Sequence, residues 1–340
     1  MMTRVAESFR NIDGPRIKRF CANNAAFLAF VVLVIVAIIL RGDVFLSSTN
    51  ILNILRHNAI IGIIALGMTV VIILGDISLS VGSQLALVGW IAIDIFNRTN
   101  NVFLAILACA LASIVAGLFE GVLTAKFKIP SIIVTLGTMT IYRSIVLFAL
   151  SGGGLMAGVP PGGAGADRDR AAAAVYQSIS NTDFLGLPLP IFYWIILSIL
   201  LHIFLTHTAT GRHIYATGSN EKAAMLSGVK VDRIRILGFV ICGLMVALAA
   251  VVETSRVGAI SSAAQGVTHN MDAIAAVVIG GTSLTGGKGR VIGTFFGVMT
   301  LGVITNMLNL IGVNPFFFGM ATGGIIIGAV LLQKRLDKGK

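Results

Sequence analysis

Apolar residues in this chain do not alternate with polar ones at a strand or surface-helix period; they run on in blocks separated by short polar turns. About 20 such residues, rising 1.5 Å each, cross the hydrocarbon core of a bilayer. Ten blocks meet or approach that length: 25–40, 58–74, 80–96, 102–124, 131–150, 190–206, 234–253, 272–286, 291–311 and 316–333. The pattern predicts an all-α, polytopic membrane protein with about ten transmembrane helices, some short or broken. The third and eighth blocks carry clusters of Gly, Ser and Thr. Broken, tilted or re-entrant backbone is expected there, which a membrane tolerates only where protein buries it or it lines a water-filled cavity.

These blocks organise the chain into a cytoplasmic segment (1–24), a transmembrane domain (25–333) and a cytoplasmic tail (334–340). Two polar intervals within the domain are long. Residues 151–190 are rich in Gly and Pro, which predicts an irregular external cap with one short helix in DRAAAAVYQSI. Residues 207–235 form a polar interval on the opposite side, with a helical patch EKAAMLSG and a basic end.

Composition agrees with the pattern. Hydrophobic residues make up 56% and charged ones 11% of the 340 residues, against about a quarter charged in soluble domains. The formal charge of +11 would suggest nucleic acid in a soluble protein, but here it reports topology. With a cytoplasmic N-terminus, 18 of the 25 Lys and Arg fall inside, six outside and Arg143 within a span, as the positive-inside rule requires. No nucleic-acid partner is expected. The chain is placed in a bacterial inner membrane, among lipid, with both termini cytoplasmic. The basic leader runs into the first apolar block without a small-x-small site, so that block reads as an uncleaved span. Cys21, Cys109 and Cys242 are widely separated and the five His lack ligand spacing, so neither a disulfide framework nor a metal site is indicated.

The glycine-rich stretch GGTSLTGGKGRVIG (281–294) raises the question of a nucleotide loop. A P-loop requires G-x-x-x-x-G-K-[ST] between a strand and a helix. Counting back from Lys288, Thr282 stands where the first Gly belongs and Gly289 where Ser or Thr belongs, with apolar blocks on both sides. Close helix packing and a tight turn account for these glycines instead.

Three stretches carry a resemblance to a known family: ALGMTVVIILGDISLSVGSQLALVG (65–89), GVLTAKFKIPSIIVTLGTMTIYRSI (121–145), and GRHIYATGSNEKAAMLSGVKVDRIR onward through MDAIAAVVIGGTSLTGGKGRVIGT (211–294). In order and spacing they resemble the permease subunits of bacterial ABC importers for ribose, xylose, rhamnose and autoinducer-2. KIPSIIVTLGTMTIYRSI looks nearest to the autoinducer-2 and rhamnose branch. The resemblance implies a membrane permease that catalyses nothing and holds no cofactor. It also implies a second copy or paralogue, a double-cassette ATPase on the cytoplasmic face and an external sugar-binding protein. In the family, the segment matching 218–229 touches the ATPase, which singles out Gly218, Asn220, Glu221, Ala224 and Gly228.

Relatives commonly read G-I-D-L-S-V-G where this chain has GDISLSVG, so Ser78 stands at the aspartate position and Asp76 lies two residues earlier. Asp76 either braces the inner gate or is a solvated end-of-helix charge. Asp76, Ser78, Ser80, Thr282 and Ser283 are expected near that gate. Asn306 and Asn309 share a helical face that either lines a hydroxyl-rich path or bonds neighbouring helices. Glu120, Arg143, Glu253 and Asp272 lie in or near spans, where ionisable groups are paired or face water; Glu120 and Arg143 lie at different depths and do not suit each other as partners. The alternative function is an ion-coupled secondary transporter, which the scarcity of mid-span carboxylates disfavours. A membrane enzyme finds no catalytic motif.

Overall fold

The structure, a computed structural model, describes residues 25–160, 169–314, 317–320, 323–324 and 327–328. The N-terminal segment 1–24, the tail 334–340 and much of the tenth predicted span lie outside the described residues. In chain order the elements are α1 (Ala25–Phe45), α2 (Ser48–Ile73), α3 (Val81–Thr99), α4 (Val102–Ala125), α5 (Ser131–Ala149) and β1 (Gly154–Met156). There follow α6 (Arg170–Asn181), β2 (Asp183–Phe184), β3 (Leu187–Pro188), α7 (Leu189–His207), α8 (Ala209–Ser219) and α9 (Glu221–Leu226). The last are α10 (Val231–Val257), β4 (Ala259–Ser261), α11 (His269–Ile279) and α12 (Val291–Leu310).

Among the described residues seven helices are long and apolar enough to cross a membrane: α1, α2, α4, α5, α7, α10 and α12. Two of the other three predicted spans are α3 and α11. The first is 19 residues long but carries Ser83, Gln84, Asp94 and Arg98. The second is a half-length helix of 11 residues, cut short at Gly280.

Helix α2 is the axis. Every residue from Asn58 to Ile73 is buried, as expected of a helix apolar on all sides. Around it the directions alternate. Leu74 packs against Gly238 and Gly67 against Cys242, so α2 and α10 are antiparallel. The Thr69 and Thr294 hydroxyls pair at 2.7 Å, while Asn50 and Asn306 exchange amide hydrogen bonds, so α12 also opposes α2. Along α4, Gly117 lies under the Phe239 carbonyl and Gly121 under Ile236. Glycine at both sites lets the α4 and α10 backbones approach, which replaces the missing hydrophobic drive between helices in lipid.

One end of the bundle gathers the turns after α2 and α4, the α8–α9 interval and the loop before α12. It carries Lys126, Lys128, Arg212, Lys222, Lys230, Arg233, Arg235, Lys288 and Arg290, and is called the basic end below. At the far end, β1 pairs antiparallel with β4, and α6 packs over α10, with the Tyr176 and Thr254 hydroxyls 2.7 Å apart. Asp169 caps α6 by accepting from the amides of Ala171 and Ala172, so the short helix predicted in the cap is present. Asp167 and Arg168 lie outside the described residues.

The connectors before α3 and α11 both re-enter the bundle. Helix α2 ends at Gly75 (φ 84) followed by Asp-Ile-Ser, and α10 ends at Gly258 (φ 68) followed by Ala-Ile-Ser. The first connector rises from the basic end until the Leu79 carbonyl accepts from Asn270 Nδ2 (3.3 Å), near the start of α11. An 11-residue helix spans about 16 Å, so this contact lies near the middle of a core about 30 Å thick. The second connector descends from the far end to Arg143, 12 residues into α5, which donates to the carbonyls of Ser262 (2.9 Å) and Gln265 (2.8 Å). The two segments meet where Gly82 presses on the backbone of Gly266. Helix, Gly-x-Ile-Ser, irregular chain and shorter helix thus occur twice in opposite directions.

At Gly82 an added Cβ would coincide with the Gly266 carbonyl, whereas at Gly137 on α5 it would meet nothing within 4 Å. Gly82→Val is expected to destabilise the protein by about 2–3 kcal/mol through overpacking, and Gly137→Val to leave it unchanged. Thermal unfolding of the detergent-solubilised chain, followed by size-exclusion, measures both.

Candidate functional site

Three turns converge at the basic end. The Gly287 amide donates to the Ile73 carbonyl at 2.8 Å, joining the glycine-rich loop to the last turn of α2. Gly286 lies against Gly75 and the Gly218 carbonyl, and Gly287 against Ser219. Tyr215 of α8 donates to the Gly289 carbonyl at 2.9 Å. Three more of the loop's amides are engaged: Thr282 to Val277, Ser283 to Lys288 and Gly286 to Ser283. A phosphate cradle needs several free amides pointing at one spot; here they close a turn and hold α2.

The predicted gate residues divide into two groups. Asp76, Ser78, Ser80, Thr282 and Ser283 are all buried at the basic end or on the rising connector. The Ser78 and Ser80 hydroxyls pair at 3.0 Å, and those of Ser283 and Thr285 at 2.8 Å. Asn306 and Asn309 lie elsewhere, toward the far end of α12. Asn306 is bonded to Asn50, while Asn309 donates to the Thr305 carbonyl of its own helix.

Asp76 is not a solvated helix-end charge. It is buried, and its carboxylate oxygen lies 2.8 Å from Nε of Arg235, the first inward-facing charge of α10. Desolvation pushes the Asp76 carboxyl above the usual carboxylate range, and the Arg235 charge pulls it the other way. Arg235 Nη2 also reaches Glu221 of α9 at 3.1 Å. Lys128 completes the cluster, 3.5 Å from Glu221 and 2.9 Å from Asp232, whose carboxylate raises the Lys128 pKa. The sequence offers Arg235 only as one of several basic residues between 230 and 235; which of them turns inward depends on the phase of α10.

Helix α9 is short and held at few points. Asn220 caps it by accepting from the Ala223 amide at 3.0 Å, Glu221 ties it to the ion cluster, and Ala224 is its buried residue. Gly218 packs against the Ile73 carbonyl, whereas Gly228 turns in open space at φ 82. Met225 and Leu226 are exposed, Leu226 at 90%. Of the five residues expected to contact an ATPase, Ala224 and Gly218 thus face inward.

Helix α5 supports both re-entrant connectors, the first from its opening turns near the basic end and the second from its middle. Ser131 Oγ accepts from the Ile77 amide, Thr135 Oγ1 reaches the Ile77 carbonyl, and Arg143 holds the second connector. Glu120 of α4 is buried among the hydroxyls of Ser80, Thr138 and Tyr142, with Thr138 Oγ1 donating at 2.7 Å. Glu120 and Arg143 do not pair. Glu253 pairs instead with His269 at 3.2 Å, clasping the neck of the second connector. The opposite face of α5 exposes Gly137, Thr140 and Ser144 at mid-depth.

The chain matches the family described as branched-chain amino acid transport system / permease component over residues 50–332. It is similar to ribose import permease proteins of Haemophilus influenzae (38% identical over 325 residues, 96% of this chain and 97% of that one) and Bacillus subtilis (40% over 309 residues, 91% and 92%). An autoinducer 2 import system permease protein of Salmonella choleraesuis is 34% identical over 321 residues, covering 94% and 88%. Over the whole chain, identity to these ribose permeases exceeds that to the autoinducer-2 permease, contrary to the leaning of residues 128–145 alone. No solved structure matches the chain. A family match across most of the chain, joined by relatives aligned over nearly their whole length, makes it a member of the branched-chain amino acid transport system permease-component family.

Proposed function

We propose that the chain is the membrane-spanning subunit of an ATP-driven importer for a monosaccharide, with ribose the first solute to test. The observation that carries this reading is the link between α9 and mid-depth: an exposed helix tip on the basic end is wired through Arg235 and Asp76 to a connector that reaches the centre of the bundle. Such a helix, fixed by flanking elements, can transmit a rigid-body shift. The basic end faces the cytoplasm by the positive-inside rule and receives a double-cassette ATPase on Met225 and Leu226. The β1–β4 cap faces outward and receives the sugar-binding protein.

Irregular backbone at membrane depth must face protein or water rather than lipid. Residues 263, 264, 267 and 268 of the second connector are exposed at that depth, as are Thr140 and Ser144 of α5. This face therefore borders a solute path shared with a second copy or paralogue of the chain. Hydroxyls there suit a sugar, since they exchange hydrogen bonds with it without holding it by charge. The rival reading, an ion-driven carrier, uses buried acids such as Glu120 and Glu253 and needs no ATPase.

Uptake of labelled ribose by cells expressing the complete system is expected to stop when the ATPase is deleted; uptake that persists and follows a proton or sodium gradient would favour the carrier. In competition, pentoses should reduce it more than hexoses, deoxyhexoses or autoinducer-2. A cysteine at Leu226, more exposed than Ala224, should crosslink to the ATPase and resist a membrane-impermeant maleimide applied to intact cells. Gly287→Val, at φ 72 against Ser219, should lower uptake by about tenfold or more, the scale of a typical coupling energy between sites. Lys288→Ala should leave ATP affinity of the assembled complex unchanged.

A further inference from the structure

Arg235 touches two separate elements at once. Its Nε lies 2.8 Å from Asp76 at the foot of the first re-entrant connector, and its Nη2 lies 3.1 Å from Glu221 in the first turn of α9. Among the described residues it is the one charged side chain paired with both. We infer that Arg235 is the positioning residue through which displacement of α9 reaches the connector 75–80, and hence the midplane contact of Leu79 with Asn270. This rests on the importer reading above and assigns the coupling within it to one side chain.

Burial decides that the link is stiff where it must be. The side chains of Arg235 and Asp76 are 13% and 9% exposed, those of Glu221 and Lys128 37% and 57%. Pulling the inner pair apart would strand a buried charge, which is strongly unfavourable, so Asp76 follows Arg235. The outer contacts are solvated and easily rearranged, which lets α9 shift while Arg235 retains a hold on it. The guanidinium offers separate nitrogens to the two carboxylates in a fixed fork, a geometry that a lysine ammonium does not reproduce. Ser131 of α5 hydrogen-bonds Asp76 at the connector's foot; above it the connector is held to α5 through the Ile77 amide and carbonyl and to α4 by Ser80 against Glu120. A pull at its foot acts through these few bonds, and the Ser78–Ser80 stretch between them responds.

A thiol at Ser78 reports that movement without requiring the transported sugar. The complete complex carrying Ser78→Cys as its single cysteine, with Cys21, Cys109 and Cys242 replaced by Ala, is reconstituted in proteoliposomes. It is labelled with a maleimide in the nucleotide-free and ATP-vanadate-trapped states, and ATP hydrolysis is measured in parallel. The expected result is a labelling rate that changes several-fold on trapping, and that this change is lost in Arg235→Gln while hydrolysis continues, and in Glu221→Gln, a residue of the ATPase-facing segment, with the ATPase still co-purifying in unchanged amount. Arg233→Gln removes the same charge from an exposed site on the same helix and should keep the response. Arg235→Lys should restore part of it. The double variant should be no worse than Arg235→Gln, because both single changes cut one link. Should Arg235→Gln fail to assemble, Glu221→Gln, half exposed and peripheral to the core, carries the comparison. A response that survives in either variant, or an absent response in the parent complex that hydrolyses ATP, overturns the assignment of Arg235 alone. A complex that neither binds nor hydrolyses ATP overturns the importer reading itself.

Discussion

Satisfying backbone polar groups without water governs this structure. In the hydrocarbon core an unpaired N–H or C=O costs several kcal/mol, yet the chain abandons helix at that depth twice. It can do so because α5 supplies what the bilayer cannot. Ser131 and Thr135 bond the backbone of Ile77, and Arg143 covers two carbonyls of the descending connector. Asn270 closes the junction by bonding the Leu79 carbonyl. An arginine part-buried in a span, an odd choice on hydropathy grounds, is thus explained by a backbone need rather than by an acidic partner.

The same constraint explains the arrangement of glycines. Where two irregular segments cross, no side chain fits, and Gly82 against Gly266 is the result. Around Gly286 and Gly287 the turn must pass between α2 and α8, and its amide bonds Ile73. A glycine-rich loop beside a lysine looks like phosphate chemistry only when its amides are free.

Much of this was legible from residue order. Long apolar blocks predict a polytopic helical protein, and the Gly/Ser interruption at the start of the third block borders the first re-entrant connector. That of the eighth block, 280–286, falls instead in the basic-end turn, and the second connector, 258–268, precedes the block. Hydropathy fails for α3 and α11 because a half-length or polar-lined helix sheltered by others need not satisfy the requirement that lipid imposes. Asp76 was recognisable as displaced from the family position, but its burial against Arg235 depends on the rotation of α10, which no local pattern reveals. For Asn306 and Asn309 spacing leaves a path and a helix contact equally open: it says that they share a face, not which end of the bundle that face serves or that Asn50 lies opposite Asn306.

The pairing of β1 with β4 joins Gly154–Met156, part of the outer interval, to the stretch immediately before the second re-entrant connector. Asn97 of α3 fastens the same strand, donating to the Met156 carbonyl and accepting from the Gly158 amide. The far-end cap and the descending chain are consequently one structural unit. Chimeras that graft the cap of a related permease onto this protein must carry both strands across together, since a cap exchanged without residues 258–266 would arrive without the strand it pairs with.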